Sequence, residues 1–312
     1  MRIQINPDED TFLLDHVVDG SPVLPTVMQL DLVARALRAA EQEQQQEQKQ
    51  EQQQEQKQEQ PAGLLLRDIT VGPAVRFARP GPRDLDLLCT PEPSRRPAPP
   101  AWRCELRSPG HDAPHLVAVA GPAAGPPLWV PAPGEWADWL SCGPDLVYPP
   151  FFHGPAFQVV GAFGREGGGL RAALAPGLPP LSWGCGPTVL RPRLLELLLQ
   201  CCGLQELAET GRMMVPAGFE SVRWHLASLT ADDRTGAMAV ARPRPGRENS
   251  GPVFDGQVVT PTGTVLVTVT GYRTADLGQA AHRPHTARLT RCLDSHREPG
   301  PAEPAIPEGV SP

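Results

Sequence analysis

The chain has 312 residues, 40% of them hydrophobic, and a formal net charge of −7. That length and apolar content suffice for a sizeable core. The negative balance, with no basic stripe long enough to track a phosphate backbone, argues against a nucleic-acid binder.

The opening MRIQINPDEDTFLLD lacks a basic start followed by an apolar run, and no segment approaches the apolar length needed to cross a bilayer. The expectation is a soluble, cytoplasmic protein with no membrane association. Residues 13–27 read LLDHVVDGSPVLPTV, with His16 four residues before Gly20 and nine before Pro25. Gly20 permits a tight turn, and Pro25 starts the apolar helical run that ends LVARALRAA. From residue 41 to residue 60 follows EQEQQQEQKQEQQQEQKQEQ, a Gln, Glu and Lys tract with no apolar face to bury. It either prolongs the preceding helix into solvent or is disordered, and reads as a low-complexity expansion of a surface loop.

Five short runs then read as strands: LLLRDITVG, AVRFA, LDLLCT, AWRCELRS and HLVAVAG, each bounded by Gly, Pro or polar turns. A stretch rich in Pro, Gly and Trp, residues 121–150, connects two halves, with the boundary near Gly143. The second half offers FQVVGAFG and GLRAALAP as strands, the helical run TVLRPRLLELLLQCCGLQELAETG, and four further strands within residues 219–274. Each half thus has one helix, apolar nearly all round, and several antiparallel strands. Only a sheet wrapped about such a helix hides every face. The fold expected is α+β, a double hot-dog: residues 1–142 as the first half with the insert at 41–60, residues 143–275 as the second, and residues 276–312 as a disordered tail rich in Pro.

Seven cysteines, Cys201 and Cys202 adjacent among them, show no paired CxxC spacing. They read as buried reduced thiols, not as metal ligands.

Two residue types carry candidate chemistry. Glu196 and Gln200 lie one turn apart on the greasy second helix, so both project from one face. A carboxyl in apolar surroundings has its ionised form disfavoured and stays a proton donor near neutral pH, which makes Glu196 a candidate general acid. His16 is the complementary candidate base, since imidazole accepts a proton at cellular pH.

HVVDGSPVLP, FFHGPAFQ at residues 151–158 and RLLELLLQ around Glu196 occur in this order. Together they resemble the dehydratase domains of polyketide and polyunsaturated-fatty-acid synthases: the H-x-x-x-G-x-x-x-x-P pattern, the GPxFQ segment and the acidic helix motif. The resemblance spans roughly residues 1–274. It departs from the modular polyketide dehydratases in carrying Glu196 where they usually have Asp. In this it is similar to the small fatty-acid dehydratases, which use Glu followed by Gln.

The resemblance implies a double hot-dog that removes water from a 3-hydroxyacyl thioester held on an acyl carrier protein by phosphopantetheine, giving a 2-enoyl thioester without metal or organic cofactor. It implies that His16 from the first half and Glu196 from the second face each other across a tunnel. Backbone N–H groups around Pro25 to Val27 are candidates to receive the thioester oxygen. Gln200 would hold the acid or the leaving hydroxyl, with Tyr148 and His153 beside the tunnel and Phe152 lining the acyl channel. Asp31, six residues after Pro25, lies near the place of the acid in single hot-dog dehydratases. Arg191, Arg193, Arg212 and Arg223 form either a carrier-docking patch or a scattered solvated surface, the second being preferred.

The sequence contains no ketosynthase, reductase or carrier segment, so action in trans with polyketide or fatty-acid synthase components is expected. A noncatalytic acyl-binding scaffold, or a cyclase or isomerase on the same fold, remains the alternative.

Overall fold

The computed structural model describes residues 1–51, 63–79, 81–93, 101–123, 142–166, 168–181, 183–184, 186–225, 236–244, 252–280 and 283–294. The first half contains β1 (Arg2–Ile5), a hairpin of β2 (Val17–Val18) and β3 (Ser21–Pro22), helix α1 (Thr26–Glu51), β4 (Leu64–Val71), β5 (Arg83–Pro91), β6 (Trp102–Arg107) and β7 (Leu116–Pro122). The second contains β8 (Val160–Glu166), β9 (Gly169–Leu174), α2 (Pro192–Thr210), β10 (Arg212–Trp224), β11 (Met238–Pro243), β12 (Val253–Val259), β13 (Val265–Ala280) and α3 (Arg283–Asp294).

Eleven strands form one antiparallel sheet in the order β1-β5-β6-β7-β4-β10-β13-β12-β11-β9-β8. The two halves meet at the β4–β10 seam, where Phe219 stands opposite Ile69 and Trp224 opposite Leu64.

Helix α2 shows why the sheet must curl. From Leu194 to Cys202 every residue is buried, and Leu204 and Leu207 continue the pattern. A helix buried on all sides has no solvent face and must be enclosed. Its ends are set by local chemistry: Pro192 occupies the first turn, where its missing N–H costs nothing, and Gly211 closes the helix at φ 69° with its N–H on Leu207 O. On the sheet side, Gly256 of β12 lets α2 approach closely. A Cβ there would stand 2.6 Å from Leu198 Cδ1 and 2.6 Å from Val240 O.

The expected elements differ from the observed ones at several points. AVRFA makes only an isolated bridge, Arg76 to Val23, because loop residues 72–77 pack against the β2–β3 hairpin and not along a strand. α1 continues into the Gln-rich tract as far as Glu51; the rest of that tract lies outside the described residues. The disordered tail expected from residue 276 is corrected: β13 runs to Ala280 and α3 buries Leu289 and Leu293. Residues beyond 294 lie outside the described set. The expectation of reduced thiols throughout is also corrected. Cys142 and Cys292 form a disulfide that ties α3 to the start of the second half, while Cys89, Cys104, Cys201 and Cys202 are free. Among the described residues no helix is long and apolar enough to cross a membrane.

The close approach at Gly256 gives the first prediction. Gly256→Ala forces Leu198 or the Val240 backbone to shift, so it should destabilise the fold by about 1–3 kcal/mol, read as a lower denaturant midpoint with unchanged slope.

Candidate active site

His16 owes its position to contacts on both sides. A 3-10 turn, Thr11–Asp15, buries Phe12 and Leu13 and delivers the chain to His16. Next comes the β2–β3 hairpin, whose turn residues Asp19 and Gly20 both have positive φ, 51° and 73°. Gly20 meets that geometry without strain, as expected. The imidazole Nδ1 lies 2.8 Å from Val23 O. A carbonyl only accepts, so Nδ1 carries the proton and Nε2 is left as the basic atom. Nε2 has no hydrogen-bond partner among the described residues. Burial pushes the His16 pKa down to about 4, helped by His153, so the ring is neutral at pH 7.

Asp15, which the sequence reading did not single out, brings the second half to His16. Its backbone oxygen accepts the Gly154 N–H at 2.7 Å, and its Oδ2 accepts the Ala156 N–H at 3.0 Å. His16 and His153 consequently pair as an isolated antiparallel bridge. Gly154 has to be glycine, since a Cβ would meet Asp15 Oδ1 at 2.3 Å and Asp15 Cα at 2.8 Å. His153 then stacks on Phe152 at 4.5 Å, and its Nε2 lies 3.1 Å from Glu196 Oε1.

Gln200 donates Nε2–H to the same Oε1 at 2.9 Å and to Phe157 O at 2.8 Å. Its own oxygen accepts the Tyr148 hydroxyl at 3.0 Å, while that hydroxyl accepts Val160 N–H at 2.7 Å. Tyr148 therefore braces Gln200 from behind and does not line the cavity. Its burial pushes the phenol pKa up. With both donors on Oε1, Glu196 Oε2 has no hydrogen-bond partner among the described residues.

The carboxyl departs from the expected proton donor. Burial is the largest single influence and pushes its pKa up. The hydrogen bond and electrostatic influence of His153, the electrostatic influence of His16 and the Gln200 amide together outweigh it, holding Glu196 below the usual carboxylate range. Glu196 is therefore a carboxylate at neutral pH.

His16, His153, Glu196 and Gln200 line one cavity of about 220 Å³, with Phe152, Thr26, Leu199, Met213 and Tyr272 among its walls. Pro25 immediately precedes α1 and, lacking an N–H, serves only to set the helix start. The first-turn N–H groups of Thr26 and Val27 have no helical partner, and Thr26 faces the cavity.

Asp31 is not brought to this site. It is fully buried, with Oδ1 accepting Val189 N–H and Leu190 N–H at 2.7 Å each and Oδ2 bonded to Arg35 Nε at 2.9 Å. Arg193 donates to Ala156 O and Pro179 O, and Arg212 pairs with Asp276, so these two arginines are engaged within the chain.

A family model described as "Polyketide synthase dehydratase N-terminal domain" matches residues 146–284, which include Tyr148, His153, Glu196 and Gln200 but not His16. The chain resembles the polyketide synthase dehydratases. Three solved structures are similar over 88% of this chain and 92% of their own. The dehydratase domain from the CurF module of the curacin polyketide synthase is 16% identical with a TM-score of 0.67. The dehydratase domain of PpsC from Mycobacterium tuberculosis, in complex with C12:1-CoA, is 22% identical at 0.63. An inactive Asp-to-Asn mutant of the CurK dehydratase is 13% identical at 0.63. Among curated proteins none matches. The fold shared with these dehydratase domains is the double hot-dog.

The lowered pKa of His16 has a consequence for stability. Between about pH 4 and pH 6.5 the unfolded chain binds a proton at His16 that the folded chain does not. Stability from this site is therefore full above pH 6.5 and is lost as pH falls through 4, amounting to no more than about 3 kcal/mol. Denaturant melts at pH 7 and pH 4.5 should show a smaller acid loss for His16→Phe than for the wild type; equal losses would contradict the neutral, buried ring.

Proposed function

We propose that the chain removes water from a 3-hydroxyacyl thioester carried on the phosphopantetheine arm of an acyl carrier protein, acting in trans beside polyketide or fatty-acid synthase components. The observation that carries this reading is the pair of unpartnered atoms on one cavity, His16 Nε2 as acceptor and Glu196 Oε2 as proton carrier. Dehydration needs one of each. Two of the similar structures support it: one dehydratase domain is in complex with C12:1-CoA, and another is an inactive Asp-to-Asn mutant.

In this mechanism Nε2 of neutral His16 takes the C2 proton. The C2–H electron pair forms the C2=C3 double bond as the C3–O bond breaks, and the departing hydroxyl takes a proton from Glu196 and leaves as water. His16 finishes as imidazolium and Glu196 as carboxylate. The thioester oxygen gathers charge as C2 loses its proton and is met by the Thr26 and Val27 N–H groups.

Glu196 must hold a proton for this step, whereas the protein groups around it keep it ionised. An acyl chain that fills the cavity expels water and strengthens the influence of burial, raising the carboxyl pKa in the complex. Gln200 and His153 keep Oε1 turned away so that the proton resides on Oε2. The proposed setting is the cytoplasm. The Cys142–Cys292 bond is the feature at odds with that setting, since disulfides are rare in reducing compartments.

Intact-mass spectrometry of a 3-hydroxyacyl carrier protein tests the proposal. Wild type should remove one water, and His16→Phe and Glu196→Gln should each be slower by about a hundredfold or more. Equal rates in all three would overturn the residue assignment, and binding without water loss would point to the scaffold reading.

The pH dependence gives a second check. The acid limb of kcat/KM should fall with an apparent pKa of about 4 as His16 gains a proton. The alkaline limb of kcat, reporting the complex, should lie at higher pH than that of kcat/KM, reporting the free enzyme. Coincident alkaline limbs would contradict the substrate-driven rise of Glu196.

A further inference from the structure

The lining of the cavity includes one cationic side chain, Arg76, together with one carboxylate, Glu196, and mostly apolar walls. Arg76 sits in residues 72–77 of the loop between β4 and β5, and that segment is held by several backbone bonds. Gly72 N–H bonds to His115 O at 2.9 Å, Leu24 N–H to Val75 O at 3.0 Å and Phe77 N–H to Pro22 O at 2.8 Å. Buried His115 donates Nδ1–H to Pro73 O at 2.6 Å. Its Nε2 therefore accepts from Ser108 Oγ–H at 2.8 Å. Arg83 closes the bracket, donating to Ser108 Oγ at 2.9 Å and to Arg76 O at 2.5 Å. Val75 and Phe77 are buried, so the alternate residues Ala74 and Arg76 are turned to the cavity rim.

The Arg76 side chain is 41% exposed. One N–H reaches Val18 O at 3.1 Å, and Asp19 Oδ2 stands 3.8 Å away, beyond hydrogen-bond distance. Its other N–H groups have no hydrogen-bond partner among the described residues. A rigidly mounted, half-exposed arginine with open donors at the rim of a mostly apolar cavity fits an oxyanion that takes two parallel N–H bonds, such as a phosphate.

The spacing from the candidate base agrees. Val23 N–H bonds to His16 O at 2.9 Å, and Val23 bridges Arg76, so the His16 and Arg76 backbones are two strand spacings apart, about 10 Å. The arginine side chain extends that span outward. A pantetheine arm places two amide units and its pantoyl group between sulfur and phosphate, so a thioester beside His16 sends its phosphate toward this rim.

We propose that Arg76 is the anchor for the 4′-phosphate of a pantetheine thioester, and that Asp19 tempers its grip. The proposal rests on the dehydratase reading for the identity of the arm but is tested separately from it. The loop bracket of His115, Ser108 and Arg83 is the positioning apparatus for this contact.

The experiment compares pantetheine, 4′-phosphopantetheine, coenzyme A and carrier-protein thioesters of one 3-hydroxyacyl chain, with calorimetric binding of free pantetheine and 4′-phosphopantetheine alongside. Wild type should favour the phosphorylated ligand over the unphosphorylated one by about tenfold to a hundredfold, in binding and in KM. Arg76→Gln should bring that ratio close to one, Arg76→Lys should restore part of it, and Asp19→Asn should raise it above wild type. A ratio unchanged in Arg76→Gln, or a wild type indifferent to the phosphate, would overturn the proposal. Phosphate-dependent binding without turnover of any thioester would uphold the anchor and overturn the dehydratase reading. A carrier-bound thioester that outperforms coenzyme A would identify the carrier as the source of the phosphate; parity would identify the free thioester.

Discussion

The chemistry of this molecule depends on one short contact between its halves. Asp15 accepts the Gly154 N–H on its backbone and the Ala156 N–H on its carboxylate, and this brings His16 and His153 side by side. Neither half alone has the pair. His16 lies at the start of a hairpin in the first half, and Glu196 is buried on a helix in the second, 180 residues later. The β4–β10 seam makes one sheet of the two halves, but the Asp15 contact, at which no Cβ fits on residue 154, sets the register between the candidate base and the candidate acid.

Around that contact the polar groups are divided so that each candidate retains one open atom. Val23 O takes the Nδ1 proton of His16, which leaves Nε2 basic. His153 and Gln200 both address Oε1 of Glu196, which leaves Oε2 facing the cavity. Tyr148 orients Gln200 through a bond that never reaches the cavity itself. Low dielectric makes such a network costly to leave half-paired, so its orientation is well determined. The same donors that orient Glu196 also favour its ionised form. Turnover under this account requires the substrate to alter the site's electrostatics on entering.

Much of this was legible in the sequence because it follows from local rules. A glycine four residues after His16 and a proline nine after it signal a turn and a helix start. Glu196 and Gln200, at i and i+4 on an apolar helix, must share a face. The all-round apolar character of α2 called for a wrapped sheet, and the sheet is there. The rest depended on distant partners. Asp15 reads as an ordinary loop aspartate, since the N–H groups it serves lie on residues 154 and 156. Asp31 lies, by its distance from Pro25, near the place of the acid in single hot-dog dehydratases, yet its oxygens are taken by residues 189 and 190 and by Arg35. The pKa of Glu196 was misjudged because burial was visible in the pattern while the donors opposing it were not. α3 escaped because two leucines at i and i+4, Leu289 and Leu293, bury their side chains in an otherwise polar segment.

The most direct test is a crystal structure of Glu196→Gln with a 3-hydroxyacyl pantetheine bound. The account predicts that C2 of the acyl chain lies about 3.5 Å from His16 Nε2, with the C3 hydroxyl within hydrogen-bond distance of the side chain at position 196. An acyl chain seated with C2 turned away from His16, or outside this cavity, would contradict it.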